Sequence, residues 1–447
     1  MFRSRKVDVL ILIEHKAREL ETAVLLKTLF ERKGYSVIID SIKFHKESII
    51  LKYKPSIAIV PWAYSNKEMN LFRNFKFQRK NENIIILNMH HEQISNEGSD
   101  TFILPKDDAK KILHVSWGRN FTNKLIEAGC LPSSIIECGN TRLDFYRGKL
   151  TSISNSKEML SSKYDIDKTK KWVLFIANSF HLLSENQIEV NIEKGVDIKE
   201  QIEKSIKNRH DFLNYVDDYL TENSDVIFIY RPHPSFAHLD VKCPEIIELC
   251  NKYESFKCIS ENSIRDWIIH SDIAISFHST SIIECAVANT PFYLFRTHEL
   301  PPEKDYAFFK NYNYTIKNYE DFCEAIKNSS DFSFSIFNKA TKEYIDIDID
   351  KYASEQIVEF IAQIDCTKDE LCQQVEFRII PFTKTVMMFL AKKMLLYISK
   401  VPLVKNIFIK SNDIRFYNLF YIGDDYFNQS DINIIEAKIK AALNKGF

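Results

Sequence analysis

The chain has 447 residues, of which 45% are hydrophobic and 27% are charged, and its formal net charge is −1. This length exceeds what one typical domain core holds, so two domains are expected. The charge balance argues against a nucleic-acid-binding protein, because such proteins usually carry a basic excess that neutralises phosphates.

Cysteines, glycines and apolar runs exclude further classes. The nine cysteines include no CxxC pair, so no zinc-site spacing is present, and reduced thiols in a cytoplasmic protein are expected. Neither GxGxxG nor a P-loop pattern occurs, which disfavours the glycine-rich nucleotide-binding loops. The first apolar stretch, Val7–Ile13, is too short for a signal peptide, and no apolar run reaches the roughly 18 residues of a transmembrane helix.

The first third of the chain alternates β-branched runs with helical patterns. Helices are predicted over Leu20–Lys33, ending at Gly34, and from Gly118 through Ala128. The predicted strands are Val7–Ile13, Ser36–Asp40, Ser56–Val60, Ile84–Asn88, Leu113–Trp117 and Ile135–Cys138. Strands that alternate with helices favour crossover connections and a parallel sheet. Residues 1–150 are therefore predicted to form a Rossmann-like domain.

A second alternating region follows a polar, Ser- and Lys-rich stretch, residues 151–170, which is interpreted as a linker. Helical patterns occur at 186–222, 263–270, Tyr319–Lys327 and Ala353–Ile364. Predicted strands are Trp172–Ala177, Val226–Tyr230, Phe256–Ile259, Ile273–Phe277 and Pro291–Phe295. Residues 171–365 would form a second Rossmann-like domain. The predicted class is α/β, with two parallel sheets.

The C-terminal residues 366–447 form a tail of different character. Between 376 and 417 the acids are Glu376 and Asp413, and large apolar residues alternate with basic ones. The basic residues are Arg378, Lys384, Lys392, Lys393, Lys400, Lys405, Lys410 and Arg415. The pattern predicts amphipathic helices that lie on an anionic membrane surface or form a helical subdomain packed on the protein.

The segment Tyr230–Ser235, with sequence YRPHPS, joins a buried strand to a loop containing two prolines. Functional residues of open α/β sheets gather beyond the carboxyl ends of strands. A rigid loop there would present Arg231, His233 and Pro234 to a nucleotide phosphate. The alternative is a rigid turn whose histidine caps a neighbouring helix.

A second strand end carries hydroxyl groups. Ser279, Thr280 and Ser281 follow the predicted strand Ile273–Phe277 and precede a helix that contains Glu284. The spacing of Ser281 and Glu284 also fits a capping box, which would be purely structural. Free N–H groups and hydroxyls at a helix start suit an anion, so the two strand ends together are interpreted as a phosphate clamp.

Three loops of the N-terminal half contain many ionisable groups and should meet at one sheet edge. A hydroxyl that attacks as a nucleophile needs a base within hydrogen-bond reach, and the candidates are Glu97 and Glu92, then Glu14. The residues expected to contact such an acceptor or to line the cleft are Lys16, Arg18, His91, Asn140 and Arg142. The neighbouring pair His90 and His91 lacks a third ligand at a recognisable spacing, so no metal is expected.

These segments resemble known proteins over about residues 7–300. IEHKAREL and GNTRLD are similar to motifs of bacterial surface-carbohydrate biosynthesis proteins, with Thr141 where proline is usual. RPHPS and SFHSTSIIE resemble motifs of GT-B glycosyltransferases that use CMP-sugars, including sialyl- and Kdo-transferases, and CDP-glycerol polyol-phosphate transferases carry a similar pair. The segment NEG at 96–98 looks like an acidic-acidic-glycine base motif, with Asn96 in place of the first acid.

The resemblance implies the GT-B fold, with two parallel sheets facing a central cleft, in which residues 1–150 bind the acceptor and residues 171–365 bind the nucleotide-sugar. It also implies that Arg231 and His233 contact the CMP phosphate, assisted by Ser279, Thr280 and Ser281, without a catalytic metal. The leading hypothesis is a glycosyltransferase that moves Kdo or another nonulosonic acid from a CMP-activated donor to a surface polysaccharide or lipid-linked acceptor. The partners would be the nucleotide-sugar, that glycan or lipid acceptor and the inner-membrane surface, with no nucleic acid. The location would be the cytoplasm or the inner face of the plasma membrane. The alternatives are a CDP-polyol phosphotransferase, a UDP-sugar 2-epimerase and a non-catalytic polysaccharide assembly or export protein.

Overall fold

The structure is a computed structural model of the chain. It describes residues 5–72, 83–94, 103–178, 183, 188–189, 192, 198–233, 241–306, 309, 312–334, 342, 344–346, 350–365, 373–374, 379–398 and 426–444. Two compact units are present. The first unit comprises Met1–Gln93, Phe102–Asp144 and Tyr344–Phe447, and the second comprises Ile94–Thr101 and Phe145–Glu343.

Strands and helices alternate through most of the described chain. The strands are β1 Arg5–Ile13, β2 Val37–Ser41, β3 Tyr53–Val60, β4 Asn83–Asn88, β5 Leu113–Ser116, β6 Ile135–Glu137, β7 Lys171–Ile176, β8 Val226–Arg231, β9 Phe256–Cys258, β10 Ile273–Ser276, β11 Phe292–Phe295, β12 Thr315–Ile316 and β13 Gln373–Gln374. The helices are α1 Lys16–Arg32, α2 Ile42–Lys52, α3 Asn66–Phe72, α4 Arg119–Glu127, α5 Lys157–Tyr164, α6 Lys199–Glu222, α7 Pro244–Lys252, α8 Ile264–His270, α9 Ile282–Ala288, α10 Tyr319–Lys327, α11 Ala353–Ala362, α12 Ile379–Ile398 and α13 Gln429–Asn444.

The first unit is built on a parallel sheet with the strand order β2-β1-β3-β4-β5-β6, and β13 pairs antiparallel with β4. Its central strand β1 has the continuous apolar run Val9–Ile13, and each of these side chains is at most 2% exposed. A parallel sheet needs helical crossovers that cover both faces, so its central strands are apolar on both sides. The predicted parallel α/β organisation of this half is confirmed.

The second unit is built on another parallel sheet, with the order β12-β11-β10-β7-β8-β9. Its core is strongly aromatic. Phe175 of β7 stacks on Phe212 of α6 with a ring-centroid distance of 3.7 Å, and Phe228 stacks on Phe322 of α10 at 5.9 Å. These rings join the helices to the sheet through large buried apolar areas. The predicted second α/β region is therefore confirmed as well.

Each sheet contains one point where the strand order reverses. In the first unit the chain passes from β1 outward to β2, then returns to β3 on the other side of β1. In the second unit it passes from β7 outward through β8 and β9, then returns to β10 on the other side of β7. Loops on either side of such a switch point diverge and leave a crevice beyond the carboxyl ends of the strands, where ligands of α/β proteins bind.

The unit boundaries differ from the predicted domains. The first unit ends at Asp144 and includes Tyr344–Phe447, whereas the sequence predicted a linker over 151–170 and a tail from 366. Helices α11 and α13 pack against α1, and α12 packs against α2. The described part of the predicted tail thus lies on the first unit. No helix within the described ranges has the length and apolar character needed to cross a bilayer.

Asp144, the last residue of the GNTRLD motif, joins α11 to the sheet of the first unit. Its buried carboxylate accepts hydrogen bonds from the N–H groups of Ala353 and Ser354, both at 2.9 Å, and from the Ser354 hydroxyl at 2.7 Å. These N–H groups belong to the first turn of α11 and would otherwise lack acceptors. The motif therefore has a structural role in helix capping.

Replacing Asp144 with Asn should lower the free energy of unfolding by about 2 kcal/mol, because an amide presents its own N–H to a donor of α11. Urea-induced unfolding measures this loss. Asp218 is an exposed aspartate of α6, so Asp218→Asn provides a matched control that should change stability little. Equal stability of the two variants would contradict the capping role.

Candidate functional site

At the end of β8 in the second unit, Arg231 is directed into the protein. Its guanidinium donates hydrogen bonds to the carbonyl oxygens of Ile259, Glu261 and Asn262, and the side chain is buried. Burial lowers the pKa of Arg231 to about 10. Because these carbonyls belong to the loop after β9, Arg231 holds that loop in place. The contact of Arg231 with a phosphate stays a prediction.

His233 lies two residues beyond β8 and is half-buried. The imidazole is therefore at the carboxyl edge of the second sheet, as the sequence predicted. Pro234 and Ser235, which complete the predicted phosphate loop, lie outside the described residues.

The end of β10 carries the predicted hydroxyl groups beside the switch point. The Ser276 hydroxyl donates to the carbonyl of Ile176 at 2.6 Å and so ties β10 to β7 where both strands end. Ser279, Thr280 and Ser281 follow and are half-buried. The capping box is not formed, because the Ser281 side chain makes no cap and its N–H instead donates to Ser279 Oγ at 3.2 Å.

Glu284 extends from the first turn of α9 into the interior of the second unit. It is 4% exposed, and its Oε1 accepts a hydrogen bond from the Tyr146 hydroxyl at 3.2 Å. Oε2 is buried and has no hydrogen-bond partner among the described residues. A buried carboxylate oxygen without a donor is costly, so such an atom indicates a ligand group that donates to it. No motif in the sequence predicted that Tyr146 would contact this carboxylate.

His278 begins the same loop and stacks on Tyr306, with the ring centroids 4.0 Å apart. Behind them Arg296 donates to both oxygens of Asp305 at 3.0 and 3.1 Å and to the carbonyl of Phe277. Burial raises the pKa of Asp305 and lowers that of Arg296 despite this ion pair. Arg296 thus joins Asp305 to the Phe277 carbonyl in the loop after β10, and desolvation opposes the charges of the pair.

In the first unit, Glu14 lies directly after β1 at the switch point. Its Oε2 accepts a hydrogen bond at 2.9 Å from the indole N–H of Trp62, which follows β3. Its backbone N–H donates to Glu19 Oε2 at 2.7 Å. These bonds join the two loops that diverge at the reversal of strand order, and they hold the half-buried Glu14 carboxylate at the edge of the sheet.

Arg18 connects Glu14 and its neighbours to the loop after β4. Its guanidinium donates to Glu92 at 2.7 Å and to Glu19 at 2.9 Å. Burial opposes the charge on Glu19, but His91 when protonated, Arg18 and the Glu14 N–H outweigh it, so its pKa is lowered. The structure thus brings together Glu14, Arg18, His91 and Glu92 around the buried Glu19, a residue that the sequence analysis did not single out.

His91 lies 3.8 Å from Glu19, and burial lowers its pKa to about 4. It is therefore neutral at neutral pH. Arg142, on the loop after β6, contributes to that shift, and its N–H donates to Asn140 Oδ1 at 2.9 Å. Asn140 is buried and shapes this turn.

The remaining predicted residues have other placements. Lys16 Nζ bonds to Asp431 of α13 at 3.1 Å, so it helps to hold that helix. Glu97, the first choice of base, lies outside the described residues. His90 is buried, and its Nε2 lies 2.8 Å from Nδ1 of the buried His114. Nowhere in the described ranges do three or more histidine, cysteine, aspartate or glutamate side chains converge as a metal site would require. The expectation of a metal-independent enzyme stays a prediction.

Comparisons with known proteins identify the fold. No family model matches the sequence, and no curated protein does. A structure from Listeria monocytogenes assigned as a UDP-N-acetylglucosamine 2-epimerase matches 84% of this chain and 100% of its own, with 12% identity and a TM-score of 0.51. Another UDP-N-acetylglucosamine 2-epimerase structure matches 80% of this chain and 95% of its own, with 11% identity and a TM-score of 0.50. The chain has the GT-B fold.

These likenesses correct the leading functional prediction. The sequence motifs favoured a glycosyltransferase that uses CMP-activated Kdo or another nonulosonic acid, whereas the solved structures that the chain resembles are UDP-N-acetylglucosamine 2-epimerases. The CMP-sugar interpretation was wrong. The alternative that named a UDP-sugar 2-epimerase agrees better with the findings.

The buried His278 should make stability depend on pH. Burial, reinforced by Arg296, lowers its pKa to about 3, whereas a histidine of the unfolded chain titrates near 6.5. Neutral His278 is compatible with the folded state, so folding stability is at its full value above pH 6.5. It decreases as the pH falls from 6.5 towards 3, because the unfolded chain then binds a proton that the buried imidazole does not. His278→Phe keeps a ring against Tyr306 but cannot titrate. Between pH 7.5 and 5, wild type should lose about 2 kcal/mol more stability than this variant.

Urea unfolding at the two pH values measures the difference. The control is His210→Phe, which removes an exposed histidine of α6 and should preserve the wild-type pH dependence. If His278→Phe loses as much stability as wild type, His278 does not contribute in this way.

Proposed function

We propose that the chain is a UDP-sugar 2-epimerase that acts on a UDP-N-acetylhexosamine. The observation that carries the proposal is the buried Glu284 carboxylate at the switch point of the second sheet, one oxygen of which has no donor within the part of the chain that the structure describes. The fold supports the same proposal, because at least 80% of the chain matches each of two UDP-N-acetylglucosamine 2-epimerase structures.

The nucleotide is assigned to the second unit. A ribose offers two adjacent hydroxyl donors, which match the acceptor need of Glu284 Oε2. The half-buried hydroxyls of Ser279, Thr280 and Ser281 can donate to phosphate oxygens, as can an imidazole N–H of His233. Together these groups would bind UDP and stabilise the negative charge that it acquires as a leaving group.

Inversion at C2 of the sugar defines what the catalytic groups must do. No carbonyl adjoins C2 in the closed ring, so proton loss is coupled to departure of UDP from C1. The C2–H electron pair forms a C1=C2 bond, the C1–O bond breaks with its pair on UDP, and the proton passes to a base. Addition of a proton to the opposite face of C2 and of UDP to C1 restores the atom and charge balance.

Glu14 is the candidate base of the described residues. It is half-buried at the switch point of the first sheet, and one oxygen is fixed by the Trp62 indole, which leaves the other available for proton transfer. Glu92 is less suitable because its Oε1 already accepts a hydrogen bond from the Arg18 guanidinium at 2.7 Å. Glu92 and Glu97 stay alternative bases, and Arg18, His91 and Arg142 are proposed to contact the sugar or its phosphates.

Nucleotide binding gives the first test of this function. UDP should raise the thermal unfolding temperature, whereas CMP and CDP should have little effect. Glu284→Gln should weaken UDP binding about 10- to 30-fold, because it replaces a charged acceptor with a neutral one and keeps an oxygen for Tyr146. Isothermal titration calorimetry measures the affinity.

Glu324→Gln is the matched control, since Glu324 is exposed on α10 of the same unit. Its UDP affinity should equal that of wild type. Stabilisation by CMP or CDP without an effect of UDP would rule out the proposed substrate class.

Glu14→Gln should lower the rate of interconversion of UDP-N-acetylglucosamine and its C2 epimer by about 10²- to 10⁴-fold, as expected for loss of a general base. UDP affinity should be unchanged, because Glu14 is not assigned to the nucleotide. Proton NMR of the anomeric signals follows the reaction.

The control for this variant is Glu127→Gln, which neutralises an exposed carboxylate at the end of α4. Wild-type turnover by Glu14→Gln would show that another residue, Glu92 or Glu97, acts as the base. The same substitution at those positions would then identify it.

A further inference from the structure

Helix α12 exposes an unusual amount of apolar surface. Fifteen large hydrophobic side chains are exposed in the described part of the protein, and six of them lie on the twenty residues of this helix. The most exposed are Met387 at 70%, Met394 at 61% and Tyr397 at 73%, and Leu390 is 55% exposed. An exposed patch of this kind marks an interaction surface.

The exposed residues form one continuous face. Met387, Leu390, Met394 and Tyr397 recur at helical spacing, three or four residues apart, and define a stripe along α12. The opposite side is the attached one, because α12 packs on α2 and Lys392 Nζ donates to the carbonyl of Phe44. Lys392 also lies 3.6 Å from Glu47. The helix is thus fixed to the first unit by one side and presents the apolar stripe on the other.

Charge indicates what this stripe contacts. The segment Ile379–Ile398 contains three lysines and no aspartate or glutamate. With Lys392 bound to α2, the other two are Lys384 and Lys393, both exposed. At about 100° per residue they project roughly a quarter turn to either side of the stripe. An apolar face bordered by lysines fits a bilayer interface, where the apolar side chains enter the acyl region and the lysines contact anionic headgroups.

A second copy of the chain fits this surface less well. A symmetric dimer through the stripe would bring the lysines of both copies together without acidic partners on the helix. We propose that α12 is a membrane-docking helix that lies in the surface of a bilayer containing anionic phospholipids. This role is independent of the proposed epimerase activity.

Vesicle cosedimentation with the full-length protein tests the proposal. Wild type should bind phosphatidylcholine vesicles that contain 30% phosphatidylglycerol and should bind at least tenfold more weakly to pure phosphatidylcholine. Leu390→Glu/Met394→Glu should lower binding to the anionic vesicles at least tenfold, because it places charge in the buried face. Lys384→Glu/Lys393→Glu should have a similar effect, which high salt mimics in wild type.

Two controls separate docking from general effects of the substitutions. Met159→Glu changes a methionine that is 59% exposed on α5, far in sequence from the stripe. Lys106→Glu/Lys327→Glu makes the same change in net charge at two exposed positions. Both controls should bind vesicles as wild type does. UDP binding and the unfolding temperature should be unchanged in every variant, so a failure of the nucleotide assignment would be recognised separately.

The proposal is overturned if wild type does not bind the anionic vesicles, or if both α12 variants bind as strongly as wild type. It is also overturned if analytical ultracentrifugation shows a dimer that Leu390→Glu/Met394→Glu dissociates, since the stripe would then contact a second copy.

Discussion

Hydrogen bonding between parallel strands is the constraint from which the candidate site arises. Parallel neighbours require a crossover, and each sheet places its first strand in the interior, so the chain must reverse its direction of strand addition once. The reversals fall between β1 and β3 in the first unit and between β7 and β10 in the second. Loops diverge at both points, and side chains held there can meet a ligand without disturbing the core.

The carboxyl edges of the two sheets carry different chemical groups. The second unit offers hydroxyls and the buried Glu284 acceptor, which suit the ribose and phosphates of a nucleotide. The first unit offers a network of carboxylates and cations in which Glu14 is oriented by Trp62 and Arg18 is held between Glu19 and Glu92. Such pre-organised ionisable groups are typical of proton-transfer sites.

Much of the fold could be predicted from the sequence because β-branched runs and helical spacing are local properties. Helix α2 was missed because its isoleucine-rich sequence also fits a strand. In the structure it is capped by Ser41, whose hydroxyl accepts a hydrogen bond from the Phe44 N–H at 3.2 Å. Arg231 was assigned to the phosphate because its neighbours suggested a loop. The carbonyls that bind it come from residues 259–262, and no local pattern could reveal them. The placement of Glu19 depends likewise on residues far along the chain.

The nucleotide preference was wrong for a related physical reason. RPHPS and SFHSTSIIE contain groups that recognise phosphate and hydroxyls, and CMP-sugars and UDP-sugars share both. Selection between cytosine and uracil depends on groups that contact the base edge, and these motifs alone do not identify them.

The proposed inversion at C2 of a UDP-N-acetylhexosamine requires the hydrogen on C2 to leave the sugar. Incubation of the wild-type protein with UDP-N-acetylglucosamine in deuterium oxide, followed by proton NMR, reports exchange at that carbon. The C2 proton signal should be lost while the C2 epimer appears. If UDP-N-acetylglucosamine binds to the protein but keeps its C2 proton, the proposed inversion at C2 is contradicted.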